Sequence, residues 1–416
     1  MSVDTLSQAI PVIALDKVQA VALAVVTYYF GVWLKSKISL LSRYSIPSPV
    51  VGGMTFAVIM STLEYLGIVR LQVDSTLQTV LMLAFFTTIG LMASLKVVAT
   101  GGKLLVGFLL CVTVLLFLQN GLGIGIAEAM GLDFHYGILA GSVSMMGGLG
   151  TAAAFGPYFE QTYGIAGGTA VGITAATFGM VAALLIGGPF AEWCIRRYKV
   201  KTPKDVVQPE PELHIPSDME SDITMPGSAK KPSLTEEIMK AGSIVALCMG
   251  LGTVVSEFLG QYITLPAYIG SMMVAAVLRN LADFSGKLKV QGQGLDAVAD
   301  ISLVLFVTMA INSLKLHELV HLAIPLLIIL AAQTLLMVLF AWLFIFKAFG
   351  RTYDAAMLTA GGIGFSMGAT ANGLANMQAI SEKYGHSPRA WLIVSLVGAF
   401  LIDLINALAI TWFGAL

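Results

Sequence analysis

Two segments set the architecture of this chain: GSVSMMGGLGTAAAFG at residues 141–156, and GGIGFSMGATANGLANMQAI at residues 361–380. Both are apolar but crowded with glycine, serine and threonine, and the second adds asparagine and glutamine. Glycine permits tight turns and lets a ligand approach bare backbone. We therefore interpret each segment as a broken hairpin and not as a continuous apolar helix.

Long apolar segments surround both hairpins. The 416-residue chain is 57% hydrophobic and only 11% charged, with a mean hydropathy of +0.86, whereas soluble domains carry roughly a quarter charged residues. Segments of this kind can cross about 30 Å of hydrocarbon. The predicted spans are 17–34, 48–67, 77–95, 104–129, 168–195, 238–260, 265–282, 298–314, 320–347 and 388–413. The sequence therefore predicts an all-α polytopic membrane protein with ten transmembrane helices, in contact with membrane lipid.

Several other classes of protein are disfavoured. The 23 Lys+Arg residues nearly balance the 24 Asp+Glu residues, so the charge gives no indication of a nucleic-acid partner. Cys111, Cys194 and Cys248 form no CxxC pair, which argues against a disulfide framework or a structural zinc site. The chain has no GxxxxGK[ST] phosphate loop and no visible catalytic cluster, so an enzyme is not expected.

The distribution of basic residues predicts the orientation in the membrane. Lysine and arginine follow the odd-numbered spans, at Lys35, Lys37, Arg43, Lys96, Lys103, Arg196, Arg197, Arg279, Lys347 and Arg351. Because cytoplasmic loops carry an excess of Lys and Arg, both termini are expected on the outer, periplasmic side. Ten spans give this result only if each hairpin enters and leaves on the same side, so both are predicted to be re-entrant.

The two halves of the chain resemble each other at an offset of about 219 residues. IPSPVVGGM begins at Ile46 and LPAYIGSMM at Leu265, and GLDFHYGILAG begins at Gly131 and GRTYDAAMLTA at Gly350. A repeat with five spans, an odd number, must insert upside down relative to its partner. Inverted repeats with a site at their interface are typical of secondary transporters. The alternative is a duplication kept for structure alone, which would not require broken segments at matching positions.

The repeat defines the predicted domain organisation. Residues 1–197 form the first five-helix repeat, with an outer-side hairpin at 136–160. Residues 236–416 form the second, with an inner-side hairpin at 355–380. Residues 198–235 are the one sustained polar stretch, rich in proline, acidic residues and lysine, and they are interpreted as a cytoplasmic linker.

The hairpins are the candidate substrate site. Backbone groups at a re-entrant tip cannot face lipid and must face protein, water or a ligand. The N–H groups at the start of a half-helix attract carboxylates, and freed carbonyl groups attract sodium. Two tips that meet would build one site for a small anion and a cation, although the glycines alone would also fit close helix packing. The candidate substrate contacts are Ser144, Gly148, Gly150, Thr151, Thr370, Asn372 and Asn376.

A carboxylate in the last span is the candidate sodium ligand. Asp403 lies in the middle of GAFLIDLINAL, and Asn406 follows about one turn later. An ionised carboxylate at that depth costs at least a few kcal/mol, so it needs a partner. Sodium or a water-filled cavity would serve, as would hydrogen bonds to neighbouring helices. Thr177 and Gln378 complete the predicted sodium-binding set. Gln119, Asn120 and Gln333 are expected to form interhelical hydrogen bonds.

Several blocks of sequence resemble the sodium/glutamate symporter family of bacteria. They include YSIPSPVVGG at 44–53, LMLAFFTTIGL at 81–91, FLQNGLGIGIA at 117–127 and VGAFLIDLINAL at 397–408. The resemblance implies a sodium-coupled importer of L-glutamate in the inner membrane, and a two-hairpin fold shared with the hydroxycarboxylate transporters. It also implies a homodimer in which a transport unit moves against a fixed scaffold, an elevator-type mechanism.

Both hairpins depart from the family pattern. The first hairpin of the family reads GGHGT, where this chain has Leu149, and the second reads GATPTAIANM, where this chain has Ala371 and Asn372. Both differences lie where the substrate is expected to bind. The sequence therefore leaves open a sodium-coupled di- or tricarboxylate carrier of the same fold. A passive channel is disfavoured because paired hairpins would plug a continuous pore.

Overall fold

The structure is a computed structural model that describes residues 11–43, 46–96, 102–203, 233–260, 266–286, 292–316 and 321–416. The elements of the first half are β1 (Val12–Leu15), α1 (Lys17–Lys37), α2 (Ser39–Arg43), α3 (Ser48–Tyr65), β2 (Arg70–Val73), α4 (Thr76–Met92), α5 (Gly102–Ala129), α6 (Phe134–Ile138) with a π-helical turn (Leu139–Val143), α7 (Gly148–Tyr163) and α8 (Gly168–Tyr198). Those of the second half are α9 (Leu234–Gly260), α10 (Ala267–Ser285), α11 (Gln293–Asn312), α12 (Ala323–Phe340) with a π-helical extension (Ala341–Lys347), α13 (Tyr353–Ser366), α14 (Thr370–Tyr384), α15 (Pro388–Leu396) with a π-helical turn (Val397–Leu401), and α16 (Ile402–Gly414).

The described chain is helical, apart from one pair of short parallel strands, β1 and β2. Among the described helices, six are long and apolar enough to cross a membrane: α1, α5, α8, α9, α11 and α12 with its π-helical extension. Helices α4 and α16 are apolar but shorter. This composition is that of a polytopic membrane protein. Each predicted span overlaps a described helix, except that residues 388–413 are divided between α15 and α16. Most of the predicted linker, residues 204–232, lies outside the described residues.

Both glycine-rich segments are interrupted in the structure. The first consists of α6 with its π-helical turn, a turn over residues 144–147, and α7. Gly141 has φ −91° and ψ −128°, which is not helical. The second consists of α13 and α14, separated by residues 367–369. We refer to these units as the first hairpin and the second hairpin.

The segment predicted as the last span, residues 388–413, is also interrupted, which the sequence analysis did not anticipate. Residues 388–413 were expected as one continuous helix, and the structure contains α15, a π-helical turn and α16. Turns of this kind are frequent at functional sites. Here the turn ends two residues before Asp403 and so sets the direction of the helix that carries the carboxylate.

The helices sort into two groups by their packing. A six-helix group contains α1, α3 and α4 from the first half and α9, α10 and α11 from the second. A hairpin group contains the remaining long helices, α5, α8 and α12–α16, with the first hairpin. Each half of the chain therefore contributes its first three long helices to one group and its later helices to the other.

Side chains of α10 fix the end of α4 within the six-helix group. The Asn280 amide donates to the carbonyl of Ala93 at 2.9 Å and accepts from the backbone N–H of Leu95 at 2.8 Å. Buried Arg279 donates to the carbonyl of Leu91 at 3.4 Å and pairs with Asp283 at 3.0 Å. The carbonyls at a helix end need partners and favour positive charge, so these bonds connect the two halves of the chain.

Close helix contacts in the hairpin group depend on glycine. A Cβ atom on Gly123 of α5 would lie 2.1 Å from the carbonyl oxygen of Gly137 in α6. Gly125, two residues further along α5, has no neighbouring atom within 4 Å of its Cβ position. Only the first glycine is therefore required for packing the first hairpin against α5.

We expect Gly123→Ala to destabilise the protein by about 1–3 kcal/mol, because the added methyl group overpacks the contact with α6. The matched control, Gly125→Ala, should not destabilise it and gains up to about 1 kcal/mol of helix propensity. Thermal unfolding of the purified protein in detergent measures both. Equal melting temperatures for the two variants would contradict the described packing of α5 on α6.

Candidate functional site

A partly open cavity of about 480 Å³ lies between the two hairpins. The first hairpin contributes residues 146–151, around the start of α7, and the second contributes Phe365 and residues 368–371, around the start of α14. Helices α4 and α11 of the six-helix group form the facing wall. The π-helical turn after α15 contributes Gly398, and α16 contributes Asp403. The cavity therefore lies at the contact between the hairpin group and the six-helix group.

The two hairpin tips touch each other beside this cavity. Gly148 has φ +64°, and a Cβ atom there would lie 2.6 Å from the carbonyl oxygen of Gly368. Glycine is the residue that meets both conditions, since other residues rarely adopt positive φ and any side chain would push the tips apart.

Two helix N-termini face the cavity. Helix α7 begins at Gly148 and α14 begins at Thr370, and neither N-cap residue makes a side-chain capping bond. The first residues of both helices are part of the lining. Helix N-termini carry unpaired N–H groups and a partial positive charge, which together favour an anion. The cavity is thus suited to a carboxylate even though its lining contains no Arg, Lys or His among the residues that the structure describes.

Asp403 provides a carboxylate in the same cavity. It is partly buried in the first turn of α16 and belongs to the cavity lining. Within the described ranges, no residue donates a hydrogen bond to Asp403 or forms an ion pair with it. A partner from outside the protein can therefore bind to this carboxylate.

The structure brings five of the predicted site residues together on the cavity: Gly148, Gly150, Thr151, Thr370 and Asp403. The Thr370 hydroxyl donates to the carbonyl of Gly398, which ties the second hairpin to the π-helical turn of the last span. A Cβ atom on Gly150 would lie 3.1 Å from the ring of Phe85 in α4. The first hairpin therefore packs directly on the facing wall.

Three predicted substrate contacts lie behind the lining and bond to other helices. The Ser144 hydroxyl donates to the carbonyl of Gly172 in α8 at 2.8 Å. The Asn372 amide donates to the carbonyl of Met180 in α8 at 2.8 Å, and the Asn376 amide donates to Ala183 of the same helix at 3.1 Å. All three side chains are buried. In this conformation they anchor both hairpins to α8.

The other predicted sodium ligands lie in three different places. The Asn406 amide donates to the carbonyl of Ser142 at 3.1 Å, and its Oδ1 atom is buried without a partner in the described part of the chain. The Thr177 hydroxyl donates to the carbonyl of Ile173 in its own helix at 2.8 Å. Gln378 is exposed, outside the cavity lining, and donates to Glu382 at 3.0 Å.

Two adjacent residues of α5 each hold one hairpin. The Asn120 amide oxygen accepts from the backbone N–H of Ser142 at 2.9 Å, beside the break in the first hairpin. The Gln119 amide donates to the carbonyl of Ser366 at 2.9 Å, where α13 ends. Gln333 of α12 donates to the backbone carbonyl of Gln119 at 2.7 Å. The expected interhelical hydrogen bonds of these three side chains are confirmed.

The sequence analysis missed the apolar wall of the cavity. Phe85 and Ile89 line it from α4, and Leu303 and Val307 line it from α11. In the sequence these residues do not differ from side chains that face lipid, so no local signal identifies them. Leu149, a position where the sequence departs from the family pattern, also lines the cavity.

A second cavity, of about 360 Å³, lies against the other end of α7. Pro157 and Glu160 line it from α7, Gln78 lines it from α4, and Lys315 lines it from the segment after α11. Helix α7 therefore has a cavity at its N-terminal end and another along its C-terminal half, both between the hairpin group and the six-helix group.

Comparison with known proteins gives consistent matches over almost the whole chain. Residues 13–386 match the family described as sodium/glutamate symporter. A sodium/glutamate symporter of Escherichia coli (strain K12) is 38% identical over 402 residues, which cover 95% of this chain and 96% of the relative. A sodium/glutamate symporter of Haemophilus influenzae (strain ATCC 51907 / DSM 11121 / KW20 / Rd) is 36% identical over 390 residues, which cover 94% of this chain and 95% of the relative.

The cavity can be tested by cysteine labelling after Cys111, Cys194 and Cys248 are replaced by alanine. Thr370→Cys should react with a small water-soluble thiol reagent, because Thr370 lines the cavity. The control, Ser142→Cys, should stay unlabelled because Ser142 is fully buried and outside the lining. Mass spectrometry of the intact protein measures the labelled fraction. Labelling at the same rate at both positions would show that the cavity is not where the structure places it.

Proposed function

The chain belongs to the sodium/glutamate symporter family, and from this premise we propose that it imports L-glutamate, or a related small anionic amino acid, together with sodium. The observation that carries the proposal is that two uncapped helix N-termini share one cavity with Asp403, a carboxylate that has no partner among the described residues. The N-termini suit an anion and Asp403 suits a cation.

Charge neutralisation gives the physical reason for coupling. Holding an anion or a cation alone at membrane depth costs free energy. When both bind between the hairpin tips, the charges offset each other and the polar groups of the site replace the water that each ion loses. Binding of the pair then favours the conformations in which the cavity closes.

The proposed sodium site is centred on Asp403. Asn406 lies about one helical turn further along α16 and has a buried amide oxygen without a described partner, which supports its inclusion. Thr177 and Gln378 would join only by exchanging the bonds that they make in this conformation. Oxygen atoms of this type are suitable ligands for a hard cation.

The proposed substrate site uses the lining of both hairpin tips. Gly148, Gly150, Thr151 and Thr370 would contact the substrate directly, through backbone groups and hydroxyls. Ser144, Asn372 and Asn376 would act behind them, since their bonds to α8 fix the positions of the hairpins.

For the membrane arrangement we propose ten spans in two inverted repeats, with two re-entrant hairpins and both termini on the periplasmic side of the inner membrane. The placement of Lys and Arg supports this orientation. Pro47 and Met92 line the 480 Å³ cavity, and each lies four residues along the chain from a basic residue, Arg43 and Lys96 respectively. Because basic residues mark the cytoplasmic side in this arrangement, the cavity would open to the cytoplasm. The 360 Å³ cavity, at the other end of α7, would face outward.

For the mechanism we propose an elevator-type movement. The hairpin group would carry the site and slide against the six-helix group, which would also form the homodimer. The two-group packing supports this division, as do the cavities at opposite ends of α7. The linker of residues 198–235 would join the two repeats on the cytoplasmic side.

A second candidate function is a sodium-coupled carrier of di- or tricarboxylates. The observation in its favour is Leu149, which lines the cavity at a position where the sequence departs from the family pattern. Competition of labelled glutamate uptake by citrate, malate and aspartate separates the two functions, because the true substrate competes at the lowest concentration.

Uptake of labelled L-glutamate into proteoliposomes tests the proposed function directly. An inward sodium gradient should drive accumulation above the external concentration, because the ion and the substrate cross together. Replacing sodium with potassium or choline should abolish accumulation. Equal uptake in all three salts would end the proposal.

Two carboxylates line the cavity, Asp300 on α11 and Asp403 on α16. We expect Asp403→Asn to lower sodium-driven uptake by at least about tenfold, because the cavity loses the carboxylate that belongs to the hairpin group. The matched control is Asp296→Asn in α11, an exposed acidic residue outside the lining, which should keep normal uptake. Size-exclusion chromatography confirms that both variants are folded. Unchanged sodium dependence in Asp403→Asn would remove this residue from the sodium site.

A further inference from the structure

Aromatic and basic side chains meet where α8 and the π-helical extension of α12 end. Trp342 donates its indole N–H to the hydroxyl of Tyr198 at 3.0 Å, which connects the two helix ends. The ring centre of Trp193 lies 6.4 Å from the centre of each of these two rings. Both helices are long and apolar enough to cross a membrane, so the rings lie at the level where a span leaves the hydrocarbon.

Two basic side chains lie over these rings. The Lys347 ammonium group is 3.7 Å from the centre of the Trp342 ring, and the guanidinium carbon of Arg351 is 5.5 Å from the centre of the Tyr198 ring. Because the two rings are hydrogen-bonded to each other, the two cations lie side by side on one surface. We refer to Trp193, Tyr198, Trp342, Lys347 and Arg351 as the basic aromatic cluster.

The positive charge of the cluster is not neutralised within the described part of the chain. Lys347 and Arg351 form no ion pair with any residue that the structure describes. Glu192, on α8, is paired with Lys383 at 2.5 Å, and Asp354 accepts from a serine hydroxyl at 2.6 Å. The acidic residues nearest along the chain are therefore engaged elsewhere, and the cluster can attract an anion.

The backbone beside the cluster is strained at basic residues. Arg351 has φ +53°, and Lys199, which follows Tyr198 directly, has φ +50°. Among the described residues, these two are the only ones with positive φ that are not glycine. At the ends of α7 and α10 the same conformation is adopted by Gly164 and Gly286. Since glycine adopts positive φ with less strain, a basic residue at both positions indicates a role for the side chains.

We infer that the basic aromatic cluster binds the headgroup of an anionic phospholipid. Basic pockets between transmembrane helices near the membrane surface are suited to such headgroups. The Lys347 and Arg351 side chains would contact the phosphate, and the apolar surface beside them, where Trp193 is 45% exposed and Phe344 is 52% exposed, would pack against the acyl chains.

The inferred lipid site is separate from the proposed transport site. No member of the cluster lines the 480 Å³ cavity or the 360 Å³ cavity. The inference depends on the membrane location of the chain and not on sodium or glutamate. A bound lipid would hold together the ends of α8 and α12, which both belong to the hairpin group.

Titration of the purified full-length protein with lipid in detergent, followed by native mass spectrometry, tests the inference. Phosphatidylglycerol should bind at least about fivefold more tightly than phosphatidylcholine with the same acyl chains, because only the first carries a net negative charge. Arg351→Gly should weaken phosphatidylglycerol binding by about fivefold, the factor expected for one basic residue near an anionic headgroup. Glycine tolerates the positive φ, so this variant should melt at no lower temperature than the unaltered protein.

A second variant and a matched control make the test specific to the cluster. Lys347→Met removes the other charge but keeps an apolar side chain against Trp342, and it should weaken phosphatidylglycerol binding to the same degree. The control, Lys37→Met, removes an exposed lysine at the end of α1 and should leave the affinity unchanged. If all three variants bind phosphatidylglycerol equally, the cluster adds nothing to the general basic charge and the inference is wrong. Displacement of the lipid by inorganic phosphate would also overturn it, because the cluster would then bind a free anion.

Discussion

The rest of the structure depends on one constraint: backbone polar groups that are freed by a broken helix inside a membrane protein need partners from the protein itself or from a ligand. In the first hairpin, the N–H of Ser142 bonds to Asn120 and its carbonyl accepts from Asn406. In the second, the carbonyl of Ser366 accepts from Gln119. Side chains of α5 thus replace helix hydrogen bonds at both breaks, and the remaining free groups at the tips face the cavity.

The position of Gln119 beside Asn120 has a mechanical consequence. Because the two residues are adjacent on one helix and bond to different hairpins, a shift of one hairpin relative to α5 would break a buried hydrogen bond. An unpaired buried group costs about 1–3 kcal/mol. The bonds of Ser144, Asn372 and Asn376 to α8 add to this penalty. These buried hydrogen bonds connect the hairpins to α5 and α8, whereas the contact with the six-helix group is largely apolar around Phe85 and Leu303.

Much of this arrangement could be predicted from the sequence, because its signals are local. The length of the apolar segments predicts the helices. The glycine, serine and threonine residues within two of these segments predict where the helices break. The π-helical turn before Asp403 could not be predicted, since VGAFL reads as an ordinary apolar helix. Helix geometry explains the position of Gln378. Asn372 and Asn376 are four residues apart and share the face that packs on α8, whereas Gln378 is two residues further on and points away from it. Phe85 and Leu303 acquire their role only through tertiary packing.

The lining of the cavity explains why the proposed transport would be coupled rather than passive. A site with a buried arginine could hold a carboxylate by itself and release it on either side without sodium. This lining has no basic side chain among the described residues. The negative charge of the substrate is therefore balanced only by the helix N-termini and by a bound cation. Partial helix charges contribute about 0.3–2 kcal/mol each, which is small compared with the cost of an ion at membrane depth. With Asp403 adding a negative charge to the same space, an anion entering without a cation would be repelled. In the proposed mechanism, the lack of a basic side chain among the described lining residues would therefore make sodium a condition for binding the substrate.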